Sequence, residues 1–235
     1  MSCPGFGEVN IPSSRAFWDD CEEDEFDNVE PASQLHLNFN EGESEAPIAS
    51  ELFVLVEGPQ ITEFCNALLL QDAKNICSIP AKSSSLHLNA AKGHLLATLE
   101  EDFNNSGEIA ELLLPYAQLA KKVLTITVKP KMEYKSEDIN RYCNEVAIVH
   151  SIGGPSGDKT ISQLEAPNFI SGVAAGVASW RQQMQLPFNS YVVYVDKLPI
   201  DGVTAGPLIK LLQQSGVQCS DRYVPKPKPS SYLYS

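Results

Sequence analysis

The sequence predicts an α/β domain: a largely parallel or mixed sheet covered by helices on both faces, with a disordered acidic N-terminal arm and an extended C-terminal tail. Three observations carry this. Apolar runs of strand length, LFVLVE at 52–57, VLTITV at 123–128 and SYVVYV at 190–195, are rich in β-branched residues and suit buried strands. Between them lie segments whose apolar residues recur at helical spacing. The charge is also segregated. Residues 1–50 hold twelve acids against Arg15 alone, a net −11, whereas residues 51–235 hold eighteen acids and sixteen bases, a net −2. These features divide the chain into an arm at 1–48, a folded domain at 49–219 and a tail at 220–235.

Within the arm, CPGFGEVNIP suits a short extended segment. Eight acids between Asp19 and Glu30 then form a like-charge block of the kind that stays solvated and unfolded. Leu35, Leu37 and Phe39 alternate with His36 and Asn38, the period of a strand, before a second acidic, proline-containing linker reaches Pro47. The first buried strand at 52–57 stops at Gly58-Pro59, and Ile61, Phe64, Cys65, Leu68 and Leu69 then fall on one helical face. SLHLN around 86–88 and HLLATLE around 95–99 are strand candidates. Ile109, Leu112, Leu113, Tyr116 and Leu119 predict a helix over 108–122, in which Pro115 demands a kink or a break. The strand at 123–128 follows. Residues 129–144 read as a loop, EVAIVHS as a short strand and 153–157 as a glycine-rich turn. A helix over 170–184, the strand at 190–195 and a helix over 203–214 complete the domain, with Gly216 as its C-cap.

Several chemistries find no support. A basic stripe is missing and the acidic arm repels phosphate, so nucleic acid is not expected as a partner. The six cysteines show no CxxC spacing, so neither a zinc site nor any other metal or cofactor is expected, and the thiols read as reduced. No secretory leader and no apolar stretch of membrane-spanning length occurs, which points to a cytoplasmic or nuclear protein with no membrane insertion. In GGPSGDKT at 153–160, Asp158 separates Gly157 from Lys159 and would repel the phosphates a P-loop must cradle. The same Asp158 stands where a nucleophile elbow around Ser156 needs glycine. His36, His87, His94 and His150 lie far apart, and Glu100, Glu101 and Asp102 read as a solvated strand end. No catalytic residue emerges.

The last eleven residues, PKPKPSSYLYS, remain. Prolines alternate with Lys226 and Lys228, so this stretch is a semi-rigid spacer, reaching about 28 Å from Tyr223 to Tyr232 if extended. At its tip stand an apolar plug, Leu233, an aromatic hydroxyl, Tyr234, and the carboxylate of Ser235. Capture of a C-terminal carboxylate is a recurrent docking mode. A frayed end is the competing reading.

FGEV followed by a proline and an acidic block, the hydrophobic-Tyr-any ending, LEAPNFISGVAAGVASW at 164–180, and the later LP and YVD together resemble the proteasome assembly chaperone 1 family. The resemblance covers both ends and residues 164–201, and between Glu51 and Gly157 it extends only to the order of strands and helices. It implies a non-enzymatic chaperone that forms a heterodimer with a proteasome assembly chaperone 2-like subunit and binds the α-subunits of the proteasome core particle. Leu233, Tyr234 and Ser235 would enter a pocket between adjacent α-subunits, with Tyr232, Lys226 and Lys228 as auxiliary contacts. The proline–lysine stalk is not part of that resemblance. Two other classes compete: a small-molecule enzyme using the strand ends of an α/β sheet, and an adaptor that binds through its acidic arm.

Overall fold

A computed structural model describes residues 35–102, 104–136, 139–153 and 161–226. The acidic block, the segment at 154–160 and the tail beyond Lys226 lie outside the described residues. In chain order the elements are β1 (Asn38–Phe39), β2 (Ser50–Glu57), α1 (Thr62–Leu68), β3 (Lys74–Ser78), β4 (Ser85–Asn89), β5 (His94–Leu99), α2 (Ser106–Leu119), β6 (Ala120–Pro130), β7 (Ala147–Ser151), α3 (Val173–Gln183), β8 (Phe188–Val195) and α4 (Ala205–Gln214). Two short 3-10 turns, Lys131–Glu133 and Ile139–Tyr142, lie between β6 and β7.

The strands form one sheet in the order β1-β3-β4-β5-β2-β6-β8-β7. Its centre, β5-β2-β6-β8, is parallel, and β1, β3, β4 and β7 join antiparallel. The sheet is therefore mixed, and connection length explains why. A short link can join only antiparallel neighbours, as at β3–β4 and β4–β5, whereas parallel neighbours need a crossover with a helix. Period-two geometry then sorts the core. On β2, Leu52, Val54 and Val56 face α1 and α4, while Phe53 and Leu55 face α2 and α3. Both faces of the sheet are thus covered by helices.

Four local features differ from what the sequence suggests. β3 escapes the pattern because only Ile76 and Cys77 are buried, and a bulge between Asn75 and Cys77 breaks its alternation. Helix α2 ends at Leu119 and β6 starts at Ala120 with no linker, so the helix is shorter and the strand longer than expected. The cause is a tertiary contact: Arg181, fully buried on α3, donates to the carbonyls of Ala117 (2.8 Å), Ala120 (3.1 Å), Lys121 (3.3 Å) and Pro187. Pro115 lies inside α2 and the helix continues through it. The carbonyl it leaves without a donor is that of Glu111, and both residues are exposed, so water can take the missing bond. Finally, the carboxylates after β5 are half-buried anchors rather than a solvated end. Glu100 accepts from the N–H of Gln60 (2.8 Å) and the hydroxyl of Thr62 (2.8 Å), and Asp102 accepts from the N–H groups of Asn104 and Asn105.

The body also reaches past the composition boundaries. Leu35, Leu37, Phe39 and Ile48 pack on the α2–α3 face, and Tyr223 is 4% exposed in the core of the opposite face. Charge runs set the boundaries in the sequence, whereas these apolar side chains carry the described body past them at both ends.

Candidate docking site

The path to the tail starts at the end of α4. Gly216 adopts φ +88°, its N–H bonds the carbonyl of Gln213 (3.0 Å), and the N–H of Val217 bonds that of Leu212 (2.9 Å). This is a Schellman cap, sealed by packing Val217 and Leu212 into one cluster. The chain then turns along the body. The side chain of Gln213 donates to Asp221 (2.7 Å), and a Cβ on Gly202 would stand 3.1 Å from the carbonyl oxygen of Tyr223. Tyr223 sets its ring edge-on against Phe64 of α1, with centroids 5.4 Å apart and planes at 68°. Burial, with the Glu63 carboxylate nearby, raises its phenol pKa. Three residues on, the N–H of exposed Lys226 donates to Glu63 (3.0 Å).

Of the residues expected at the docking site, Lys226 is described and lies at this exit, on the rim of a groove of about 570 Å³ beside α1. Leu233, Tyr234, Ser235, Tyr232 and Lys228 lie outside the described residues. Sequence reading did not identify the anchor formed by Phe64, Glu63 and Tyr223. Tyr223, the last aromatic before the prolines, was the available signal. The anchor fixes where the stalk starts. Nine residues remain beyond Lys226, about 28 Å if extended.

The carboxyl ends of the parallel strands are the place where an α/β sheet ordinarily holds a ligand. Here the chain fills one such position itself. Glu57, the last residue of β2 and 2% exposed, accepts from the N–H groups of Val173 (3.0 Å) and Ala174 (2.7 Å) at the start of α3. Burial pushes its pKa up, and the two backbone bonds act in the opposite direction. Gly172 precedes α3 with φ +94°, and a Cβ there would stand 2.4 Å from a Glu57 oxygen. The helix end that could take a phosphate is closed by this carboxylate. Beside it, Lys129 pairs with Glu133 (3.4 Å) and lies over the ring of Phe169 (5.7 Å). Burial raises the pKa of nearby Glu101.

The histidines stay separate: His36 is exposed, His87 meets Ser85 (2.8 Å) and His150 meets Ser162 (3.0 Å). Among the described residues no group of three His, Cys, Asp or Glu side chains could hold a metal ion. No helix among them is long and apolar enough to cross a membrane.

No family model matches the sequence, and no curated protein matches it. Solved structures do. One crystal form of PbaA from Pyrococcus furiosus, described as an archaeal homologue of proteasome-assembly chaperone, matches 80% of this chain over 84% of its own, at 12% identity and a TM-score of 0.54. A second PbaA structure matches 75% of this chain over 86% of its own, at 14% identity and a TM-score of 0.50. A Thermoplasma acidophilum protein of unknown function matches 72% of this chain over 78% of its own, at 10% identity and a TM-score of 0.52. At these identities the likeness is one of fold, and this chain has the mixed α/β fold found in PbaA.

Proposed function

We propose that this chain is a proteasome assembly chaperone that pairs with a second chaperone subunit and presents its C-terminal tail to the α-subunits of the core particle. The carrying observation is the anchor at Tyr223: a body with the PbaA fold fixes the origin of a proline stalk whose tip combines Leu233, Tyr234 and the Ser235 carboxylate. Burying Leu233 contributes about 1.5–3 kcal/mol, and a charge-assisted bond to the carboxylate about 1.5–3 kcal/mol. Ordering the tail offsets much of this, so one tail alone binds weakly. Pairing with a second subunit that also touches the ring raises affinity through effective concentration.

The enzyme reading loses one anchor point, since Glu57 occupies the start of α3. The test is co-purification of α-subunits with the full chain and with a chain lacking its last three residues. Capture by the full chain and loss on truncation support the proposal. Capture that survives truncation moves docking elsewhere, and absence of any capture refutes the role.

A further inference from the structure

A cavity of about 630 Å³ lies at the far edge of the sheet from β1. Its floor is the outer edge of β7 and its wall is α4. Strand β7 pairs with β8 alone among the named strands. The hydrogen-bond phase decides which of its groups are open. Ile152 donates to Ser190 (2.8 Å) and Asp196 to the Val146 carbonyl (3.1 Å), so the even-numbered residues of β7 bond β8 and the odd-numbered ones face outward. Ser151 finds a partner there: its N–H donates to the Ser162 carbonyl (2.9 Å), and its carbonyl accepts from Leu164 (2.9 Å). The chain itself thus forms a bridge parallel to β7 at that end, Ser151 opposite Gln163. Ala147 and Val149 have no such bond among the described residues.

Ala147 and Val149, whose outward main-chain groups thus have no partner among the described residues, line this cavity together with Ile161 and Leu211. Two cations flank them. Arg141, lying over the Tyr142 ring (5.1 Å), and exposed Lys210 on α4 have no carboxylate within ion-pair distance among the described residues. By contrast, Lys129 and Lys131 nearby are paired with Glu133 and Asp196. Among the described residues, Glu145 is the single acid that lines the cavity.

We infer that the outer edge of β7 is a second docking site, which takes an extended, acidic–apolar peptide segment of a partner protein as an added strand. Open N–H and C=O groups supply the backbone register, the apolar floor takes alternate side chains, and Arg141 and Lys210 select acids for the others. The recessed position favours a single strand over the edge of another sheet, which α4 would obstruct.

The test uses fluorescence anisotropy with the full chain and a labelled nine-residue peptide alternating valine and glutamate. Saturable binding is expected, at least tenfold tighter than for a valine–lysine counterpart. Val149→Pro removes one outward N–H while sparing the bonds to β8, and should weaken binding at least tenfold. Arg141→Glu with Lys210→Glu should do the same without touching the strand, and circular dichroism reports whether each variant folds. The inference is overturned if the acidic peptide shows no saturation up to about 1 mM, or if the charge-reversed variant binds it unchanged. A chain that dimerises by itself, and becomes monomeric with Val149→Pro, would assign the edge to a second copy and equally overturn the partner assignment.

Discussion

Replacing Tyr223 by alanine separates the anchor from the tip. The ring is 4% exposed and meets Phe64 edge-on, so its removal costs about 3–5 kcal/mol of local packing. The residue lies in a terminal segment, and that segment can detach without unfolding the sheet. The first secure contact is then Val217, bonded to Leu212 and buried at the end of α4. The free length grows from the nine residues after Lys226 to the eighteen after Val217. Effective concentration falls as about the −3/2 power of length, so doubling the length weakens ring binding about threefold. Surface plasmon resonance on α-rings, with hydrogen exchange over 218–226, measures both halves. Tyr223→Phe keeps the ring and should bind like the parent. If Tyr223→Ala loses protection over 218–226 and binding is unchanged, the anchor has no part in presenting the tip. If it loses all binding, the segment contacts the ring directly and the spacer reasoning is wrong.

Other perturbations test the fold that carries the tail. Arg181→Met strips four carbonyls of their donor, those of Ala117 and Ala120 on buried residues, and should cost about 3–5 kcal/mol in urea unfolding, with Arg181→Lys recovering part of it. Gly172→Ala forces both a strained φ and a clash with Glu57, and should lower stability by about 2–4 kcal/mol, whereas Gly206→Ala, with open space around it, should not destabilise. His150 is buried neutral beneath Tyr134, and burial lowers its pKa while Glu165 and Ser162 oppose that and Arg141 adds to it. A base with a depressed folded pKa contributes stability above the ordinary imidazole value and loses it as pH falls. The stability advantage of the parent over His150→Phe should therefore shrink as pH drops below about 6.5, measured by urea titration at pH 7.5 and about 5.5.

What the sequence discloses depends on how local the cause is. Strands β2, β6 and β8 are legible because every position of their runs 52–57, 123–128 and 190–195 is buried and the composition shows it. The cap at Gly216 is legible because left-handed backbone favours glycine. Strand β3 is not, since two buried residues and a bulge leave no period to read. The abrupt junction of α2 and β6 depends on Arg181, sixty residues further on, which reads locally as one more exposed helix charge. Glu57 and Val173 are likewise 116 residues apart, so the plug at α3 emerges only once β2 and α3 are stacked. For the candidate site, the tip chemistry stands in the sequence, while the anchor needs Phe64 and Tyr223 brought together.

The central claim, that the tip docks through its carboxylate, is tested most directly by moving that carboxylate alone. One residue added after Ser235 keeps every side chain and displaces the charge by about 3.5 Å, beyond hydrogen-bond reach of a fixed cation. An amidated C-terminus removes the charge in place. Loss of a charge-assisted bond of about 1.5–3 kcal/mol predicts at least a tenfold weaker affinity for α-rings in both variants, with pairing to the second subunit unchanged. Parental affinity in both would contradict the account and leave the tail a frayed end.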